Sequence, residues 1–109
     1  MGETMTNQAM DHFKSQVLLI LSEVPQGECI AYGELAKQAG FPSHARQVGF
    51  LMKNLPKDTK LPWHRVVNSQ RKISFAENTD AYIRQRERLE QEGWTIVGNK
   101  LTVNELTNM

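Results

Sequence analysis

VPQGECIAYGELAKQAGFPSHARQVG, residues 24–49, carries the reading of the fold. Pro25 and Gly27 stop any helix that precedes them, and residues 28–31 form a short extended link. Residues 32–39 then read as a helix with Leu35, Ala36 and Ala39 inward. Gly40-Phe41-Pro42 breaks it before a further helix from about residue 43 to 54. Two helices joined by a glycine-containing turn make a helix-turn-helix. Ser43, just after the proline, is the expected N-cap. On the second of these helices Val48, Leu51, Met52 and Leu55 face the core, while Arg46, Phe50 and Lys53 point elsewhere. Ala45 and Gly49, four apart, leave a small-residue strip that suits close approach of either a DNA groove or a second helix.

Working outward, Met10, Phe13, Val17, Ile20, Leu21 and Val24 recur at the spacing of one amphipathic face, which predicts a helix over residues 9–24. On the other side, residues 54–61 are a polar connection with two lysines, and Asn68-Ser69-Gln70-Arg71-Lys72 is a turn-like basic segment. Thr79 is expected to cap a last helix through Glu92, stopped by Gly93. Its Arg84, Arg86, Glu87, Arg88 and Glu90 are expected to form a solvated, mutually paired face. Thr95-Ile96-Val97 and Leu101-Thr102-Val103 around Gly98-Asn99 predict a short hairpin. The organisation is therefore a flexible N-terminus over 1–8, one domain over 9–104, and a C-terminal tail over 105–109.

The chain has 109 residues, room for one domain and one modest core. No window approaches the roughly 18 apolar residues of a membrane span, so no membrane partner is expected. Cys29 is the single cysteine, which excludes an internal disulfide, and with His12, His44 and His64 it shows no paired ligand spacing, so neither metal nor cofactor is implied. With no basic residue or histidine beside it in sequence, Cys29 reads as a small apolar side chain and not a nucleophile. Net charge is only +1, yet between Lys37 and Lys72 there are eight basic residues and one acidic, a net of +7. The remainder carries −6. A basic face on a near-neutral protein is the footprint of phosphate binding.

LPWHRVV, residues 61–67, is the densest chemical signal. Proline holds the preceding backbone extended and presents Trp63 and His64 at a fixed angle. Trp63 alone reads equally as core filling. The run PWHRVV resembles PCHRV, the active-site motif of the O6-alkylguanine-DNA alkyltransferases, with Trp63 where that family has its alkyl-accepting cysteine. Residues 24–49 resemble the DNA-binding segment of the same family, and Leu89-Glu90-Gln91-Glu92-Gly93 extends the likeness, which covers about residues 13–93. Tryptophan at the cysteine position marks the alkyltransferase-like proteins.

The resemblance implies a mainly α domain with a short β-hairpin, a winged-helix-like helix-turn-helix of the alkyltransferase C-terminal type. It implies a non-enzymatic sensor that binds O6-alkylguanine in double-stranded DNA by rotating the nucleotide out of the stack and directs it to nucleotide excision repair, whose damage-recognition proteins become the expected protein partners. In the family the recognition helix enters the minor groove. By match, Arg46 fills the gap in the stack and Tyr32 crowds the target phosphate. Tyr32, Trp63, His64, Val66 and Ser74 form the expected lesion pocket. Ser43, Ala45, Gln47, Gly49, Lys53 and Asn54 join Arg46 and Tyr32 at the DNA. His64 and Glu92 match the relay that activates the enzyme's thiol; with Trp63 there, they are expected to persist as a structural pair. A cytoplasmic, nucleoid-associated monomer is expected.

Three departures from the family stand out. Ala31 replaces the usual Thr or Ser and removes a helix cap. Asn54 lies one residue further from Trp63 than the family's asparagine lies from its cysteine, which leaves its role open. Ile73-Ser74-Phe75-Ala76 replaces the glycine-and-tyrosine loop over the base and implies a reshaped, roomier pocket wall. Two other readings compete: a helix-turn-helix regulator without lesion specificity, and a transferase using Cys29.

Overall fold

A computed structural model describes residues 7–103; the expected tail over 105–109 and all but the last two residues of the expected flexible N-terminus over 1–8 lie outside the described residues. Helix α1 (Asn7–Ser22) leads through a loop to β1 (Ile30–Ala31), α2 (Tyr32–Gln38) and α3 (Ala45–Lys53). After the 54–62 loop, a single 3-10 turn (Trp63–Arg65) runs into β2 (Val66–Val67), then α4 (Asp80–Gln91) and the hairpin β3 (Trp94–Val97) and β4 (Lys100–Val103). None of the described helices is long and apolar enough to cross a membrane.

β1 and β2 pair in parallel, with Ile30 opposite Val66 and Ala31 opposite Val67. This two-residue pairing joins the start of the helix-turn-helix to the chain leaving Trp63. Because side chains alternate along a strand, consecutive valines feed different cores. Val66 enters a cluster with Phe13, Val17, Leu21, Leu35, Val48, Met52 and Trp63. Val67 enters a second with Ile73, Tyr82, Leu89, Ile96 and Leu101, under the hairpin. One short strand thereby ties the helix-turn-helix to the wing.

Local chemistry sets the helix ends. α2 stops in a Schellman motif, in which Phe41 N–H donates to Ala36 O and Gly40 N–H to Lys37 O, with Gly40 at φ +93°. That left-handed conformation favours glycine. Ala31 caps α2 without a side-chain bond, as its replacement of Thr or Ser implies. Thr79 caps α4, its Oγ1 accepting from Tyr82 N–H at 3.2 Å. The expected cap at Ser43 is corrected: α3 begins one residue later, with His44 at the N-cap and no side-chain bond. His44 N–H donates back to Phe41 O, so an additional turn precedes the helix. Ser43 Oγ instead meets His44 Nδ1 at 3.2 Å.

Met10 is also corrected, from inward to 42% exposed. Burial on α1 begins at Phe13, where the Phe41 ring packs edge-on at 5.1 Å. α1 starts at Asn7, two residues before the expected domain start. In the basic turn, Asn68 Oδ1 accepts from Gln70 N–H and Lys72 N–H and holds Arg71 at φ +62°. For a non-glycine residue that costs on the order of 1 kcal/mol. The segment after it bonds onto the hairpin, Leu101 N–H donating to Arg71 O and Ile73 N–H donating to Asn99 O.

Gln85, 1% exposed, is the polar side chain that positions the tryptophan turn. From α4 its Nε2 donates to His64 O at 3.1 Å and Val66 O at 3.0 Å. Replacing it with an isosteric thioether strands two buried carbonyls, each loss being worth about 1 kcal/mol or more. Gln85→Met is therefore expected to lower stability by about 2 kcal/mol in urea unfolding. An unchanged midpoint would show that these carbonyls are satisfied without it.

Candidate nucleic-acid interface

The candidate interface starts from α3. Arg46, Gln47, Phe50 and Lys53 are exposed on it, with Ser43 exposed just before it. Ala45 and Gly49 turn toward α2. A Cβ added to Gly49 would lie 3.9 Å from the Tyr32 ring, and one added to Gly33 would lie 4.0 Å from the Ala45 Cβ. Of the two uses open to the small-residue strip, seating α2 against α3 is one that the structure shows. That seating aims Tyr32 outward from the first position of α2. Its hydroxyl lies 2.7 Å from Ser74 Oγ. Burial raises the phenol's pKa more than the Ser74 bond lowers it, so Tyr32 is neutral at pH 7.

Tyr32, Ala45, Arg46, Gly49, Ser74 and Phe75 bound an open cavity of about 970 Å³, to which Phe50 and Lys53 also contribute. Phe75 and Lys53 further line a neighbouring cavity of about 540 Å³, with Asn54, Lys57, Trp63 and Arg84. The expected lesion-pocket residues are thus distributed. Tyr32 and Ser74 line the larger cavity and Trp63 the smaller, with Phe75 as the wall between. His64 and Val66 are buried and support the Trp63 turn from behind. Asn54 lines the smaller cavity, but its Nδ2 donates to Phe50 O at 2.8 Å and closes the end of α3.

Trp63 is 7% exposed. The Phe75 ring meets it edge-on at 6.3 Å. The guanidinium groups of Arg84 and Arg88 lie 5.3 and 5.5 Å from its ring centre. Cations over the negative face of an indole attract it, so the ring is held from several sides. The expectation of a solvated, mutually paired α4 face is corrected here. Arg86 pairs with Glu90, but Arg84, paired with Asp80, also covers Trp63 together with Arg88. Their i, i+4 spacing was visible in the sequence. Their target, about twenty residues away, was not.

Behind the turn, Glu92 gathers four donors. His64 Nε2 lies 2.8 Å from Glu92 Oε2, Arg65 donates from Nη2 at 2.7 Å and from Nε, and Gly27 N–H donates at 3.2 Å. Arg65 Nη1 also donates to Val24 O at 2.7 Å. Burial alone would raise the carboxyl; the bonds from Arg65, His64 and Gly27 outweigh it and hold Glu92 down to about 2. Burial, joined by the nearby Arg65 and Arg88 charges, lowers His64 against the bond and charge of Glu92. The imidazole is therefore neutral at pH 7 and donates Nε2–H to the carboxylate. Its Nδ1 is buried with no hydrogen-bond partner among the described residues. His64 and Glu92 do pair, as expected, with Arg65 as a third member that sequence reading had counted only as basic charge.

The family model for the 6-O-methylguanine DNA methyltransferase DNA-binding domain matches residues 12–94. The chain belongs to this family, on its alkyltransferase-like branch. A DNA base-flipping protein of Vibrio parahaemolyticus is 47% identical over 85 residues, which cover 77% of this alkyltransferase-like chain and 82% of that protein. Alkyltransferase-like protein 1 of Schizosaccharomyces pombe is 45% identical over 92 residues, 84% and 85% of the two chains. The crystal structure of S. pombe Atl1 in complex with damaged DNA containing O6-carboxymethylguanine aligns with a TM-score of 0.76 at 40% identity, covering 92% of this chain and 95% of that one. Mycobacterium tuberculosis OGT in complex with DNA aligns at 0.63 and 33% identity. This alkyltransferase-like chain corresponds to 51% of that longer one.

Glu92 below its ordinary 4.5 and His64 below its ordinary 6.5 both make the folded chain bind protons less readily than the unfolded one. Their contribution to stability is therefore full above about pH 6.5 and declines as the pH falls toward 2. Glu92→Gln is expected to lose about 3 kcal/mol at pH 7, because it leaves Arg65 unpaired in a largely buried site, and to flatten the acid-side decline below pH 4.5. Urea midpoints measured from pH 7 to pH 3 check both. A variant declining as steeply as its parent would assign the slope to other carboxylates.

Proposed function

We propose that the protein is a non-enzymatic sensor of O6-alkylguanine in duplex DNA, which rotates the damaged nucleotide out of the stack and leaves it chemically unchanged. α3 enters the groove, Arg46 occupies the place of the rotated nucleotide, and Tyr32 with Ser74 borders the cavity that receives it. Extrusion is what an atom hidden in the stack demands of any protein that inspects it. The names of the relatives, a base-flipping protein and a protein bound to damaged DNA, support this reading.

The observation that carries it is Trp63. An indole carbon does not accept an alkyl group by displacement as a thiolate does, whereas an aromatic plane lines a base pocket well. Cys29 lines neither the Tyr32 nor the Trp63 cavity, and burial raises its thiol above the ordinary value. That argues against transfer to sulfur. His64 keeps its pairing to Glu92 as scaffold. Because binding alone repairs nothing, the complex is handed to nucleotide excision repair, with the protein acting as a cytoplasmic, nucleoid-associated monomer.

Titration with two duplexes of one sequence, carrying O6-methylguanine or guanine at the same position and at one salt concentration, tests the reading. Preference for the lesion of tenfold or more is expected, with the methyl group still on the DNA afterwards. Arg46→Ala is expected to weaken lesion binding about tenfold, the scale of a lost stacking contact. Equal binding of both duplexes by the parent would leave a helix-turn-helix domain without lesion specificity. Methyl loss in proportion to protein would establish a transferase.

A further inference from the structure

Phe50 is 70% exposed, the most exposed of the large apolar side chains of the described residues. It stands on α3 between Arg46 and Lys53, four residues after one and three before the other. Residues at these spacings share one helix face about 5–6 Å apart. α3 therefore presents a stripe of cation, phenyl ring, cation, and the ring reaches the rim of the Tyr32–Arg46 cavity. Two exposed cations call for an anionic partner. A bare phenyl between them calls for apolar surface within one helical turn of the anions. Duplex DNA supplies both, since phosphates border each groove and deoxyribose rings and base edges lie between them.

We propose that Phe50 is an apolar wedge for duplex DNA, packing against the sugars and bases next to the gap that Arg46 fills. This rests on the lesion-sensing reading above. Apolar side chains pressed against base steps partly unstack them and bend the duplex, so the contact of Phe50 is fullest when the neighbouring nucleotide has already left the stack. It favours the rotated state over the intact helix. Charge supplied by Arg46 and Lys53 brings the helix to DNA of any sequence, and the ring adds discrimination that charge cannot.

Phe50→Ala, Phe50→Gln and Phe50→Leu are compared with the parent on the O6-methylguanine and guanine duplexes over a range of salt concentrations, with urea midpoints to verify that each variant folds alike. Phe50→Ala and Phe50→Gln are expected to weaken lesion binding about tenfold, on the scale of one base–aromatic contact, and plain-duplex binding less. Phe50→Leu should keep most of the affinity. The slope of log affinity against log salt is expected to be unchanged in all three, whereas Lys53→Ala should reduce it by about one, because only the lysine releases a counterion. Parent-like lesion affinity in Phe50→Ala overturns the wedge, as does equal loss on both duplexes. A parent that does not prefer the lesion overturns the sensor reading, independently of the variants.

Discussion

The Glu92 carboxylate is the point on which the site depends. It lies just past the end of α4 and receives His64 and Arg65 from the 3-10 turn and Gly27 N–H from the loop after α1. Three segments distant in sequence meet on two oxygens. A carboxylate this enclosed is tolerated because every face of it is met by a donor. The consequence is a turn that cannot rotate: His64 and Arg65 are fixed to Glu92, Gln85 holds the backbone carbonyls on either side, and Trp63 at the head of the turn has one place to go.

What surrounds Trp63 then explains its chemistry. In a relay built for a thiol, the imidazole takes a proton from its neighbour. Here the imidazole is neutral, donates toward Glu92, and leaves Nδ1 without a partner among the described residues, beside an indole that has no acidic proton. The indole is instead gripped by Phe75 at its edge and by Arg84 and Arg88 over its ring. A flat aromatic held from several sides costs little entropy to keep in place.

The legible parts of the fold share a cause: each is governed by neighbours in sequence. The Schellman end at Gly40, the Thr79 cap, the Gly93 stop and the Gly98-Asn99 hairpin are local events. Where the expectation failed, either a competing local bond or a contact from elsewhere intervened. Ser43 lost the cap because the extra turn after Phe41 moved the helix start. Met10 matched the apolar period but lies beyond the point where Phe41 closes over α1. The Arg84 and Arg88 side chains looked like a solvated helix face until the 3-10 turn put an indole beneath them. Asn54 proved to be bound to its own helix end.

The sequence by itself determined the helix-turn-helix, the hairpin, the uneven charge and the placing of Trp63 and His64 in one proline-led run, because spacing, turn chemistry and residue identity are properties of the chain alone. Tertiary structure decided which small residues seat α2 on α3, that Phe75 divides two cavities, that Glu92 binds four donors, and that Gln85 is a buried strut. Each of these joins segments far apart along the chain. Their distances are set by packing of the two cores on either side of Val66 and Val67, which no local pattern encodes.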